Sequence, residues 1–140
     1  MLNHKLSLLQ ELSDDYQVAV LFIDLNNFKH INDSLGHEAG DLVLQEVSDR
    51  LLKCAQDAGF VCRYGGDEFL IILENNQLVQ VEEQVEKIRE AFSRLFEIRG
   101  NLLHVTDSVG VSMYPEDGED LVTLIKNADH SMYRVKRRAL

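Results

Sequence analysis

Two apolar runs of strand length, Phe60 to Tyr64 and Phe69 to Leu73, stand on either side of Gly65-Gly66. That dipeptide admits the positive backbone angles of a tight turn, so the runs read as one antiparallel hairpin. Earlier in the chain, Val18 to Ile23 is a continuous apolar run, the pattern of a strand covered on both faces. Leu102 to Met113 is expected to be a further strand, although Asp107 interrupts its apolar side two residues from both Val105 and Val109.

Helical spacing fills the intervals. Leu2 to Leu12 reads as a helix, and a short turn over Asn26 to Asn32 leads through Gly36 into a longer one carrying Leu44, Val47, Leu51 and Ala55. Leu78 to Phe96 places Val81, Val85, Ile88, Phe92 and Leu95 on one face, with charge opposite. A last helix over Glu119 to Lys136 carries Leu121, Leu124, Ala128, Met132 and Val135, acidic at its start and basic at its end as the helix dipole favours. Strands interleaved with amphipathic helices, one pair a hairpin, indicate an α+β sandwich with a partly antiparallel sheet.

A chain of 140 residues with 45% hydrophobic content suits one domain with a real core, and no repeat or low-complexity tract divides it. No apolar run approaches the roughly 20 residues that cross a bilayer, and no signal peptide opens the chain. Cys54 and Cys62 lack metal-type spacing and sit in or beside apolar segments, which favours reduced, buried thiols and a cytoplasmic location. The net charge of −10 argues against nucleic acid as a partner. An acidic chain can still hold nucleotides if its carboxylates recruit a divalent cation; it can equally be acidic for solubility.

Asp24 directly follows the buried run and Asp67 directly follows the Gly-Gly turn. If those strands are neighbours, both carboxylates emerge at one edge of the sheet, where they could grip Mg²⁺. Each alone also has an ordinary explanation, as a helix cap or as turn chemistry. The string Gly65-Gly66-Asp67-Glu68-Phe69 shifts that balance, since a given five-residue string arises by chance in such a chain on the order of once in 20,000.

With Arg63-Tyr64 before it, this string resembles the signature of the GGDEF family of diguanylate cyclases. Asp24-Leu25-Asn26-Asn27-Phe28-Lys29, Ile31-Asn32-Asp33 and Gly36-His37-Glu38-Ala39-Gly40-Asp41 resemble the family's earlier blocks. Ser108-Val109-Gly110-Val111 and Ala128 to Lys136 resemble its later ones. The resemblance implies a palm-like nucleotide-cyclase fold, a central, mostly antiparallel sheet of about five strands wrapped by helices. It implies condensation of two GTP into cyclic di-GMP in bacterial signalling, with Mg²⁺ or Mn²⁺ as cofactor and a second GGDEF domain as transient partner.

Roles follow by position. Asp24 and Asp67 would bind metal through their side chains and Leu25 through its carbonyl, with Glu68 completing the site or assisting deprotonation. Asp67 would accept or direct the proton of the attacking hydroxyl. Asn32 and Asp41 would recognise guanine, with His37 near the nucleoside. Gly65 and Gly66 would let the main chain approach the nucleotide. Lys29 and Lys136 would meet the phosphates, Lys29 also steadying transition-state charge.

The chain also departs from the family. An Arg-x-x-Asp inhibitory site would place its ends at positions 56 and 59, here Gln56 and Gly59, so product inhibition through that site is not expected. Asn26 stands where a second acidic residue is usual, and the end blocks are degenerate, with Leu140 replacing a phosphate-contacting arginine. A domain excised from a longer protein, with sensory or phosphodiesterase domains and any membrane anchor elsewhere, accounts for those ends. The alternative function is a silent GTP-binding domain regulating a cyclic di-GMP phosphodiesterase.

Overall fold

The computed structural model describes residues 17–74 and 78–139, without the side chains of 57, 78, 79 and 132–139. The expected helix over Leu2 to Leu12 and the substituted Leu140 lie outside the described residues. Strand β1 (Val18–Leu25) is the apolar run, buried along nearly its whole length because it occupies the middle of the sheet. It pairs antiparallel with β3 (Glu68–Glu74) on one side and β6 (Asp107–Tyr114) on the other, and β2 (Gly59–Arg63) adds to the far edge of β3. The order β2-β3-β1-β6 makes a four-stranded antiparallel sheet among the described residues, where the resemblance implies about five strands. β4 (Phe96–Ile98) and β5 (Asn101–Leu103) form a separate ribbon.

The two-residue alternation of strands divides the core into two clusters. Leu21, Ile23, Phe69 and Ile71 share one cluster with Val43, Val47 and Leu51 of α2 (His37–Ala55) and Ile88 of α3 (Leu78–Ser93). Val20, Phe22, Leu70 and Ile72 belong to the other, with Leu121, Leu124 and Ala128 of α4 (Leu121–Ala139). Burying each large aliphatic side chain contributes about 1.5–3 kcal/mol, which is why a both-faces-apolar strand goes to the centre.

Several expected boundaries move, each for a tertiary reason. Helix α1 spans Phe28–Leu35 instead of starting at Asn26, because both asparagines before it bond across the molecule. Asn26 N–H donates to Thr106 O at 2.9 Å, and the Asn27 side chain donates to His104 O at 2.9 Å and accepts from Thr106 N–H at 3.3 Å. Those same bonds break the single strand expected over Leu102 to Met113, since 104–106 cross from ribbon to sheet with their polar backbone groups held by asparagine.

Helix α3 ends at Ser93 rather than Phe96, and Leu95 is 53% exposed instead of facing the core. The Arg50 guanidinium reaches over from α2 to donate to the carbonyls of Ala91, Arg94 and Leu95 at 2.8, 2.8 and 2.9 Å, closing the helix. It lies 3.6 Å above the Phe96 ring. The cysteines are both free and half-buried rather than fully buried; Cys54 donates to Lys87 O, and burial raises both thiol pKa values.

Asp107 lies on the same face of β6 as Val109, opposite Leu25 of β1, so it does interrupt an apolar face. Burial pushes its carboxyl up to about 6, opposed by a hydrogen bond from its own main-chain amide and then by the charge of Arg89. Its Oδ2 is buried without a hydrogen-bond partner.

Candidate active site

The end of β1 and the Gly-Gly turn meet. Leu25 N–H donates to Asp67 O at 3.2 Å, so the residue after Asp24 and the residue after Gly66 are joined through their main chains. In the ladder Asp24 stands directly opposite Glu68 on one side and Ser108 on the other. Asp24, Asp67 and Glu68 therefore share one edge of the sheet, the two aspartates as neighbouring strands would place them. Asp24 is half-buried with its Oδ1 shut away from solvent, and Asp67 and Glu68 are half-buried as well.

No group of three His, Cys, Asp or Glu side chains converges to hold a metal among the described residues. The Glu68 carboxylate folds back onto the turn, occupying the space that a side chain on Gly65 would need. The donors at this edge of the sheet, two aspartates and the carbonyl at the end of β1, are all hard oxygens. That donor chemistry fits Mg²⁺ or Mn²⁺ and not a thiolate- or imidazole-seeking metal.

The turn has its own internal bonding. Tyr64 N–H and Gly65 N–H both donate to Glu68 O, at 2.8 and 3.3 Å. Arg63 donates through Nε to Gly65 O at 3.1 Å and through Nη2 to Gly66 O at 2.7 Å. An arginine two residues before a Gly-Gly pair is within reach of the turn's carbonyls, the only trace of this grip in the sequence. Around Gly66 there is open space: a methyl group added there meets nothing within 4 Å. Two other glycines are equally open, Gly36 and Gly100, but both adopt the left-handed angles that favour glycine, and Gly66 does not.

A second set of residues assembles where α1 meets α2. The Asn32 side-chain amide packs onto Gly40 so closely that any β-carbon at position 40 would collide with its Oδ1. Gly40 thus brings Asn32 against the first turns of α2, which carry His37 and Asp41, both exposed. The same start of α2 is tied to the ribbon by Arg99, which meets Glu38 at 2.5 Å. Lys29 is exposed on the first turn of α1. Lys136 falls in α4, where its side chain is outside the described residues.

The family model described as diguanylate cyclase, GGDEF domain, matches residues 1–139. The chain belongs to the GGDEF family. Among GGDEF relatives, the signaling protein YkoW of Bacillus subtilis is 42% identical over 131 residues, 92% of this chain and 16% of that protein. The bifunctional diguanylate cyclase/cyclic di-GMP phosphodiesterase MucR of Pseudomonas aeruginosa is 36% identical over 91% of this chain and 18% of its own length. The chain therefore spans less than a fifth of either relative. The crystal structure of the GGDEF domain of TpbB from Pseudomonas aeruginosa superposes with a TM-score of 0.90 at 32% identity, covering 98% of this chain and 85% of that one. The α+β fold with its antiparallel sheet is that of the GGDEF domains. Among the described residues no helix is long and apolar enough to cross a membrane.

Proposed function

We propose that this GGDEF domain is a diguanylate cyclase, joining two GTP into cyclic di-GMP with release of two pyrophosphates. The observation that carries the reading is the join between Leu25 and Asp67, which sets Asp24 and Asp67 at one edge beside the open space at Gly66. Neither packing nor backbone angle requires glycine at 66, so the space there suits the close approach of a ligand.

Asp24 and Asp67, with the Leu25 carbonyl, would hold Mg²⁺ or Mn²⁺, and Glu68 would add its carboxylate by swinging away from Gly65. When bound, the cation supplies the Lewis acidity that makes a ribose 3′-hydroxyl easier to deprotonate and draws charge from a phosphate. Asp67 directs the proton leaving that hydroxyl. The Asp41 carboxylate accepts from the N–H groups on the guanine edge while Asn32, held by Gly40, bonds the same base; His37 flanks the nucleoside. Lys29 and Lys136 meet the phosphates, Lys29 where charge develops in the transition state.

One domain holds one GTP, so making two phosphodiester bonds takes two domains face to face. Product inhibition through an Arg-x-x-Asp site is not expected. Gln56 and Gly59 replace its two ends, and a β-carbon at 59 would run into the Ile72 main chain of the neighbouring strand.

A second reading, a silent GTP-binding domain of a phosphodiesterase, is favoured by Asn26, which brings no carboxylate and instead accepts from Ser108 Oγ at 2.8 Å. Incubating concentrated protein with GTP and Mg²⁺ separates the two. Cyclic di-GMP should form, uninhibited by added product, and Asp67→Ala should abolish it while the protein stays folded. Mg²⁺-dependent GTP binding without product, even under forced dimerisation, selects the silent domain.

A further inference from the structure

We propose that Arg99 is a positioning residue, through which the β4–β5 ribbon braces α1 and α2 at the spacing that the base of the nucleotide requires. This rests on the reading above that Asn32 and Asp41 meet that base. The two helices are joined by a single residue, Gly36, at φ 93. Neither helix start is capped by a side chain: Asn27, at the N-cap of α1, and Gly36, at that of α2, make no side-chain cap bond. Both starts are fastened instead to the ribbon or to its exit. Asn27 commits its side-chain amide to His104 O and Thr106 N–H, at 2.9 and 3.3 Å. Glu38, in the first turn of α2, accepts from Arg99 Nη2 at 2.5 Å. Phe96, where the ribbon begins, lies under the Arg50 guanidinium of α2.

Ile98 stands opposite Asn101 in the ribbon, so Arg99 and Gly100 alone form its turn, at φ 53 and 81. Two left-handed residues in a two-residue turn are the place for asparagine, aspartate or glycine. Arginine there holds an angle that its β-carbon disfavours. Strain of that kind persists where neighbouring contacts over-determine it, and it gathers at functional sites. From this position Arg99 reaches Glu38, one residue after His37 and three before Asp41. An exposed ion pair adds little to global stability. This one fixes where the first turn of α2 sits relative to α1, with Asn32 already packed on Gly40 between the two helices. Recognition groups have to be held to within about half an ångström, so a small contact of this kind is read in binding before it is read in unfolding.

The test is Mg²⁺-GTP affinity, measured by calorimetry beside thermal melting, on the parent, Arg99→Asn, Glu38→Gln and the double variant. Asparagine suits the turn but cannot reach Glu38, so Arg99→Asn should melt at or above the parent's temperature and yet bind GTP about fivefold more weakly, the reach of an exposed ion pair. Glu38→Gln should lose a similar factor, and the double variant no more than either alone, because one contact is being removed twice. Parent-like affinity in Arg99→Asn overturns the proposal. A loss that comes with a lowered melting temperature overturns it too, assigning Arg99 to stability, and so do losses that multiply in the double variant. Asp41→Ala tests the underlying reading by itself: parent-like GTP binding there removes Asp41 from the base site and takes the brace with it. Loss in Asp41→Ala with none in Arg99→Asn overturns the brace alone. If the parent binds GTP but makes no product, the cyclase reading fails and the Arg99 comparison still stands on affinity; a parent that does not bind GTP overturns both.

Discussion

Gly66 borders open space without a left-handed backbone angle, so a methyl group there should cost the free protein almost nothing. Gly66→Ala is expected to keep the parent's urea midpoint while weakening Mg²⁺-GTP binding, a separation that unfolding and calorimetry read independently. Asp107 makes the opposite kind of claim, about stability alone. Its folded pKa of about 6 lies above the ordinary carboxylate value of 3.8, so its favourable contribution is complete below about pH 3.8 and is lost as pH rises through about 6. Above that, the fold buries a charge. Asp107→Asn should therefore leave stability near the parent's at pH 4 and raise it at pH 8 by up to roughly 3 kcal/mol, as urea unfolding at the two pH values would show. Equal effects at both would contradict the burial of that carboxyl.

Among the elements, the C-terminus of α3 depends on one side chain from another helix. Arg50 satisfies three carbonyls that the helix leaves open, pairs with Glu46 at 3.2 Å and covers Phe96. Arg50→Ala should cost about 2–3 kcal/mol in urea unfolding, and Arg50→Lys should recover little of it, because an ammonium cannot span three carbonyls. This dependence also explains what the sequence could and could not convey. The spacing of Leu44, Val47, Leu51 and Ala55 announced α2, the apolar run announced β1, and Gly65-Gly66 announced the β2–β3 hairpin, because each is a local pattern. The end of α3 and the break before β6 were not legible, since they are set by Arg50 and Asn27 acting on carbonyls and amides far along the chain. In the candidate site, Glu68 joined the pair only through the resemblance, while Asp24 and Asp67 could be placed at one edge from strand logic alone. The fold of Glu68 onto Gly65 and the grip of Arg63 on the turn could not, because side-chain direction is decided only when the strands are assembled.

At the scale of the whole molecule, one domain carries one set of the proposed nucleotide-binding residues, so turnover by the proposed cyclase should depend on encounter. The initial rate per chain is expected to rise in proportion to protein concentration at low concentration, and fusing a leucine-zipper dimer to the chain should remove that dependence. A rate per chain that is flat from the start would place both nucleotides on one domain. Two like domains of charge −10 repel one another, and added salt should weaken that repulsion by screening it. The bond between Leu25 N–H and Asp67 O has a further meaning at this scale. Its proton can trade with solvent deuterium only when the end of β1 and the Gly-Gly turn come apart, so that single amide times the opening of the site. Persistence of the Leu25 proton in the protein without nucleotide marks a site assembled in advance, and rapid loss marks one that GTP must itself draw together.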